Sequence, residues 1–235
     1  LLVCGGGFAG VAAAVSAARN GAKVMLLEKY GFLGGLVTSA LVITTPPLDN
    51  GINLEIGGRL KERGVYIPCR NSGEESEWLN MHAVDPEYIK YEFVHMLQES
   101  RVDFRFHVYI VGTIMEGQKI KGVVMESKAG RQALLARMVV DATGDADIAA
   151  FAGAPFRLLK KPMTMMFNMV GVDIPRVLAE IGNWGNLRKV VKEAIDKGAL
   201  PFELGIEREF GAPGVHAEKL VYDGEINVWS GNLMG

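Results

Sequence analysis

Glycines 5, 7 and 10, in the stretch Cys4-Gly5-Gly6-Gly7-Phe8-Ala9-Gly10, satisfy the spacing GxGxxG. Glycine serves where a backbone has to approach a ligand or another segment more closely than a Cβ permits. In this spacing Gly5 suits a tight turn, Gly7 lets main chain come up against a diphosphate, and Gly10 lets a helix lie close on a strand. Glu28 follows eighteen residues after Gly10, where an acid can accept hydrogen bonds from the hydroxyls of an adenosine ribose. The chemistry of this set is recognition of a dinucleotide.

Two further stretches carry the same kind of residue. Gly34 and Gly35 come soon after the acid and are followed by Thr38 and Ser39. They read either as a second close approach of backbone to the same ligand or as a plain turn. Farther on, an apolar strand ends at Asp141-Ala142-Thr143-Gly144-Asp145. There Gly144 can let the chain turn beside a ligand and Asp145 can offer a carboxylate to hydroxyls. The competing reading makes Asp145 the N-cap of a short helix that closes at Gly153.

The elements that hold these residues follow from the pattern around them. Leu1–Cys4 is a short apolar strand of the kind buried on both faces of a parallel sheet. Val11, Val15 and Ala18 mark one face of a helix that stops at Asn20-Gly21, and Lys23–Leu27 is a second strand. This strand–helix–strand order with the acid at its end is the dinucleotide-binding unit, whose helix N-terminus presents free N–H groups and a partial positive charge to phosphate. It accounts for the uncharged opening better than a signal peptide, because no basic residue precedes the run, or a membrane helix, because three consecutive glycines would weaken one.

"DPEYIKYEFVHMLQES" predicts a helix with Asp85 as cap, Pro86 in its first turn and Ile89, Phe93, Met96 and Leu97 as its apolar stripe. "DFRFHVYIV" alternates, with Phe104, Phe106, Val108 and Ile110 on one side. "KIKGVVMES" and "RQALLARMVV" follow as strands separated by "KAG". The reading is a strand entering the main sheet, a three-stranded antiparallel excursion, and a return through Met138–Val140.

Bulk composition narrows the function classes. The chain has 235 residues, 49% apolar and 22% charged, with a formal net charge of −2. That balance gives no reason to expect nucleic acid or an anionic membrane as partner. Cys4 and Cys69 form no CxxC pair, and His82, His95, His107 and His216 have no metal-ligand spacing, so a metal site is not expected. Cysteine usage fits a reducing, cytoplasmic setting. Cys4 reads as a small core residue, whereas Cys69, after a proline in a polar loop, is the one cysteine that could react.

Taken together, GGGFAG, Glu28, Leu33-Gly34-Gly35 and Ala142–Asp147 resemble the FAD-dependent oxidoreductases of the glutathione-reductase-like superfamily. The resemblance is greatest to a bacterial subgroup distantly related to fumarate reductase flavoproteins, and "GAPF" and "PMTMMFNMVGVD" at Pro162–Asp173 are similar to it too. It implies an α/β chain: a Rossmann-like FAD/NAD(P)-binding domain over 1–154, with an inserted segment at about 45–80, then part of a β-rich substrate-binding lobe over 155–235. It also implies FAD as cofactor. Gly5, Gly7 and Gly10 would lie at the pyrophosphate, Glu28 on the adenosine ribose with Lys29 beside it, and Gly34, Gly35 and Thr38 along the pyrophosphate and ribityl side. Ile110 would offer main-chain groups to adenine, and Thr143, Gly144 and Asp145 would line the cofactor cleft.

In such a protein the flavin performs the redox step, and no protein nucleophile is expected. The methionine-rich "MTMMFNMVGV" reads first as a packed sheet and second as a substrate wall. "DIPRVLAEIG" and "LRKVVKEAIDKGAL" read as helices, and Arg208 and His216 are the polar residues of the lobe that could hold an anionic substrate. The leading expectation is electron transfer between bound FAD and a small organic substrate. An electron-transfer subunit serving a partner, or a nucleotide-binding protein without redox turnover, are the alternatives, and a homo-oligomer is compatible with either. The start without methionine and the end at "WSGNLMG", inside a strand, point to a portion of a longer protein. The join at Leu159–Lys160 is tighter than the resemblance implies, as if a loop were absent.

Overall fold

The computed structural model describes residues 1–69, 81–158, 162–200 and 215–234. From the N-terminus the elements are β1 (Leu2–Cys4), α1 (Phe8–Arg19), β2 (Met25–Leu27), α2 (Leu36–Ser39), β3 (Thr44–Thr45), α3 (Gly51–Glu62), β4 (Tyr66–Pro68) and β5 (His82–Val84). They continue with α4 (Pro86–Glu99), β6 (Asp103–Arg105), β7 (Tyr109–Glu116), β8 (Lys119–Ser127), β9 (Gly130–Leu135), β10 (Val139–Asp141) and α5 (Asp147–Phe151). Last come β11 (Pro162–Met169), α6 (Ile174–Ile181), a 3-10 turn at Trp184–Asn186, α7 (Leu187–Asp196), β12 (Val215–Lys219) and β13 (Ile226–Met234).

Two compact units emerge: Leu1–Ala40, Leu48–Leu60 and Pro86–Arg157 form the first, and Leu41–Pro47, Lys61–Asp85 and Leu158–Gly235 the second. The segment expected as an insertion near 45–80 is thus divided. Most of α3 belongs with the first unit, while β3, β4 and β5 pair only with one another and belong to the second.

The first unit is built on a parallel sheet of order β10-β1-β2-β6, with Leu2 in register with both Val139 and Met25. All three residues of β1 are buried, as the uninterrupted apolar run predicts. Helix α1 buries Val11, Ala14 and Val15, and ends where Gly21 turns left-handed at φ +86°. Helix α4 buries its predicted stripe of Ile89, Phe93, Met96 and Leu97, and Phe93 meets Phe8 edge-on at 4.7 Å. The antiparallel sheet β7-β8-β9 sends Val123 and Met125 into a core shared with Leu2, Cys4, Leu27, Val108 and Ile148. That packing gives the excursion its place against the parallel sheet.

The alternating stretch 103–111 is two strands rather than one. β6 joins β2 in parallel, and β7 starts the antiparallel sheet. Between them His107 is left-handed at φ +56°, its N–H donating to the Tyr30 carbonyl, while the Val108 N–H donates to the Glu28 carbonyl. Alternation of apolar residues continues across the corner because both strands bury one face, so the pattern alone cannot show the change of sheet.

In the second unit both sheets are three-stranded and antiparallel, in orders β3-β5-β4 and β11-β13-β12. Ile174, Trp184, Ala217 and Ile226 form its apolar cluster, with side chains of α6 and α7 packed on it. The methionine strand departs from its first reading as packed sheet. Met163, Met165, Phe167 and Met169 of β11 are all exposed, while Asn227 of β13 is wholly buried, its amide donating to the Asn168 side chain at 2.8 Å. Among the described residues β11 is an edge strand, hydrogen-bonded to β13.

Helix α3 tests the packing of the first unit. A Cβ on Gly57 would stand 2.8 Å from the Leu48 carbonyl oxygen, whereas one on Gly58 would meet nothing within 4 Å. Gly58→Ala should stabilise by about 0.5–1 kcal/mol through helix propensity alone, and Gly57→Ala should destabilise. Urea unfolding of the two variants reads the opposite signs.

Charge pairing ties α3 to α1, since Arg19 binds Glu55 through two hydrogen bonds of 2.5 and 3.0 Å. Arg19 first, and then Arg59, hold the Glu55 carboxyl down to about 2, against an ordinary 4.5. The stability it contributes is complete above the ordinary value and is lost as the pH falls through the folded one. The side chain is 31% exposed, so solvent screening leaves an effect of about 1 kcal/mol. Between neutral pH and the folded value, the native chain should lose that much more stability than Glu55→Gln in urea titrations.

Candidate functional site

At the carboxyl end of β1 the chain is squeezed between its neighbours. The Gly5 N–H donates to the Leu27 carbonyl at 2.8 Å, and the Ala142 N–H donates to the Cys4 carbonyl at 2.8 Å. A Cβ on Gly5 would lie 2.1 Å from the Ala142 oxygen, and one on Gly10 would lie 1.9 Å from the Gly5 oxygen. Backbone stands in the way at both positions, so both glycines are demanded by the fold itself.

Gly7 is different. Its φ of −72° suits any residue, and an added Cβ would come no closer than 3.7 Å to the Gly35 Cα. Protein packing therefore gives no reason for glycine here. Gly7 is also the N-cap of α1, with no side chain capping the helix and no acid in its first turn. The first N–H groups of a twelve-residue helix thus lack side-chain acceptors, with the positive end of its dipole beside them. An open approach next to uncapped amides suits an anionic ligand.

The second glycine pair packs on the first. Gly34 donates its N–H to the Gly6 carbonyl at 2.9 Å, and a Cβ on Gly35 would lie 3.1 Å from the Gly7 Cα. Thr38 is buried, and its hydroxyl donates to the Leu33 carbonyl at 2.7 Å. That proton is committed within the loop. Glu28 is 6% exposed, and its two carboxylate oxygens accept from the Gly6 N–H at 2.6 Å and the Tyr30 N–H at 2.8 Å. A carboxylate keeps further lone pairs after two such bonds.

In the return motif, Asp141 organises the turn. Its carboxylate accepts from the Thr143 hydroxyl at 2.7 Å and from the Ala149 N–H at 3.0 Å, and the Thr143 oxygen accepts from the Asp147 N–H at 2.9 Å. Thr143, rather than Asp145, therefore caps the start of α5. Asp145 is exposed, and a Cβ on Gly144 would meet nothing within 4 Å.

A cavity of about 180 Å³ opens among these elements and brings together Gly5, Glu28, Lys29, Ile110 and Thr143 of the expected set. It adds Leu27, Val108, Tyr109 and Asp147, none of which the sequence marks as a site residue. The signal for Asp147 was present in Asp145-Ala146-Asp147, but spacing alone does not say which acid faces the cavity. Gly7, Gly10, Gly34, Gly35, Thr38, Gly144 and Asp145 stand outside its lining. Arg208 and the Leu159–Lys160 join lie outside the described residues, as does the His216 side chain.

Neither cysteine is poised to react. Burial, then the nearby Asp141 charge, pushes the Cys4 thiol up to about 12. Burial first, and then the Glu218 carboxylate, pushes the Cys69 thiol up as well. Both stay protonated, whereas a nucleophilic cysteine needs its thiolate. Among the described residues no group of His, Cys, Asp and Glu could hold a metal ion. No helix among them is long and apolar enough to cross a membrane.

Residues 1–220 match the family model described as FAD dependent oxidoreductase. The chain belongs to that family. FAD is thus its cofactor, and the residues present fit one, with an uncapped helix N-terminus, an unfilled approach at Gly7 and an adjoining cavity beside Glu28. No curated protein matches the chain in sequence. Among solved structures it is similar to a geranylgeranyl bacteriochlorophyll reductase-like protein from Thermoplasma acidophilum, with 18% identity and a TM-score of 0.65, over 97% of this chain and 55% of that one. It is also similar to p-nitrophenol 4-monooxygenase from Pseudomonas putida, with 14% identity and a TM-score of 0.57, over 99% of this chain and 57% of that one. L-proline dehydrogenase from P. horikoshii shares 17% identity and a TM-score of 0.56, over 97% of this chain and 68% of that one. These likenesses bear on fold. The chain spans little more than half the length of the first of these proteins.

The contrast between Gly7 and Gly10 is measurable. Gly7→Ala should cost the fold no more than about 1 kcal/mol, the difference between glycine and alanine at an N-cap, yet remove FAD from the purified protein. Gly10→Ala should fail to fold. Flavin absorbance and thermal unfolding of the two variants separate the outcomes.

Proposed function

We propose that this chain is the cofactor-holding part of a flavoenzyme that passes electrons between bound FAD and a small organic substrate. The observation that carries this reading is the uncapped N-terminus of α1 beside Gly7, whose lack of a side chain the protein's own packing does not explain. In this reading the diphosphate takes the free amides of α1, with Gly5, Gly7 and Gly10 forming its loop and Gly34 and Gly35 bordering it. Adenosine occupies the cavity beside Glu28, Lys29, Ile110 and Thr143, where Asp147 and Tyr109 also reach. Gly144 and Asp145 continue the cleft toward the flavin.

FAD supplies the redox chemistry when bound. The chain's own residues bind and orient. Glu28 is placed to accept from ribose hydroxyls while fixing the phosphate loop, and both thiols stay protonated and out of the reaction. Within the family we assign the chain to the glutathione-reductase-like superfamily, near the bacterial flavoproteins distantly related to fumarate reductases. Motif content supports this: GGGFAG, the acid at Glu28 and Ala142–Asp147 occur in order. Functionally, residues 1–154 form the FAD-binding domain and 155–235 contribute to the substrate lobe. There the exposed Met163, Met165, Phe167 and Met169 suit an apolar substrate better than a charged one. Two unpaired cysteines support a cytoplasmic setting.

Purified full-length protein should be yellow, bleach on anaerobic addition of dithionite and recover its colour in air, with FAD released on denaturation. A colourless protein that takes up no FAD on titration would overturn the reading.

A further inference from the structure

We propose that Glu28 and Thr38 act as positioning residues that lock the two glycine loops into one preformed phosphate clamp. The proposal rests on the reading of this site as the FAD diphosphate site and concerns how the chain shapes it. The loops meet by the Gly34 N–H on the Gly6 carbonyl, the close passage of Gly35 over Gly7 and the buried Leu33 side chain against Gly6. Two glycine loops have the greatest conformational freedom to lose, so a contact of one hydrogen bond would leave them poorly ordered.

The side chains that order them come from either side. On one side the buried Glu28 carboxylate takes the Gly6 N–H at 2.6 Å, so the residue whose carbonyl receives the second loop is itself pinned to the end of β2. On the other, the Thr38 hydroxyl closes the second loop on the Leu33 carbonyl at 2.7 Å, and its methyl and hydroxyl fill the space above Gly34, where a Cβ would lie 2.3 Å from the Thr38 Cγ2. The chain of contacts runs from Glu28 through Gly6 to Gly34, and from Gly34 to Thr38. Gly7 stands next to this chain with its approach open. The clamp is therefore held by hydrogen bonds that the protein makes without a ligand.

Glu28 gives the sharpest discrimination. Both of its oxygens accept main-chain N–H groups, from Gly6 and Tyr30. Glutamine fills the same volume but has one acceptor oxygen, and its amide N–H would face one of those donors. If Glu28 mainly accepted from ribose, Glu28→Gln would retain much of its function through that oxygen. As a strut it loses its role.

The experiment is amide hydrogen exchange on the protein stripped of FAD, followed by FAD titration of the same samples. In Glu28→Gln the Gly6 amide, and in Thr38→Val the Gly34 amide, should exchange roughly tenfold faster or more, as expected for loss of one buried hydrogen bond. The Phe93 amide in α4 should be unchanged, which separates loop release from general destabilisation. FAD affinity should fall by a similar factor in each variant, the double variant should fall by less than the product, and Thr38→Ser should restore both readouts. Unchanged exchange at Gly6 and Gly34 would overturn the proposal, as would affinity lost without any change in exchange, because Glu28 would then act only through the ligand. Faster exchange in a protein that binds no FAD would leave the clamp standing and refute the flavin assignment.

Discussion

The contact on which the first unit depends is backbone against backbone: helix α1 crosses the end of β1 so closely that Gly10 sits over the Gly5 carbonyl. A methyl group there would be 1.9 Å from that oxygen, and a parallel displacement of the helix would open the core beneath Val11, Ala14 and Val15. The same closeness repeats at Gly5 against Ala142, which fixes β10 and the turn that follows it. With both approaches set, the N-terminus of α1 and the return motif come to the same end of the parallel sheet. Ligands of open parallel sheets gather at that end, outside the carboxyl ends of the strands.

Hydrogen bonds tie much of this end together among the described residues, with the start of one helix an exception. Glu28 satisfies the Gly6 and Tyr30 amides, Asp141 satisfies the Thr143 hydroxyl and the Ala149 amide, and Thr143 satisfies the Asp147 amide. Each acid thus stitches a loop to a strand end, which orders segments too glycine-rich to order themselves. The exception is the start of α1, where no side chain supplies an acceptor. Glu28, near that point, faces other donors. The geometry leaves a place where added negative charge would be stabilised, beside the open approach at Gly7.

What could be read in advance follows the same division. The first strand, α1 and β2 were legible because steric demands on Gly5 and Gly10 leave a spacing in the sequence. Helix α4 was legible from Pro86 and its stripe, and the outlines of α6 and α7 from theirs. The corner at His107 was not, because apolar alternation in β6 and β7 reports burial of one face and says nothing about which sheet supplies the neighbour. Helix α3 and strands β3 to β5 were hidden for another reason: two or three residues of strand carry too little pattern, and Gly57 and Gly58 disguise a helix whose close approach to Leu48 requires one of them. Thr38 and Asp147 show the limit within the site. Their residue types are right for ligand contact, yet only geometry tells that the Thr38 hydroxyl is turned inward and that Asp147 reaches the cavity.

The two thiols of the chain are held back from reaction by their surroundings. A protein nucleophile needs a lowered pKa and an adjacent base, but Cys4 and Cys69 are both pushed the other way, by burial and by a nearby carboxylate. The buried Glu28 and the exposed Asp141 are both engaged by main-chain donors, which suits structural struts better than proton shuttles. Meanwhile the second unit exposes Met163, Met165 and Met169 on the edge strand β11 and buries Asn227 on the central strand β13. Among the described residues, polar side chains hold loops at the carboxyl end of the parallel sheet, and soft apolar ones stand exposed on β11.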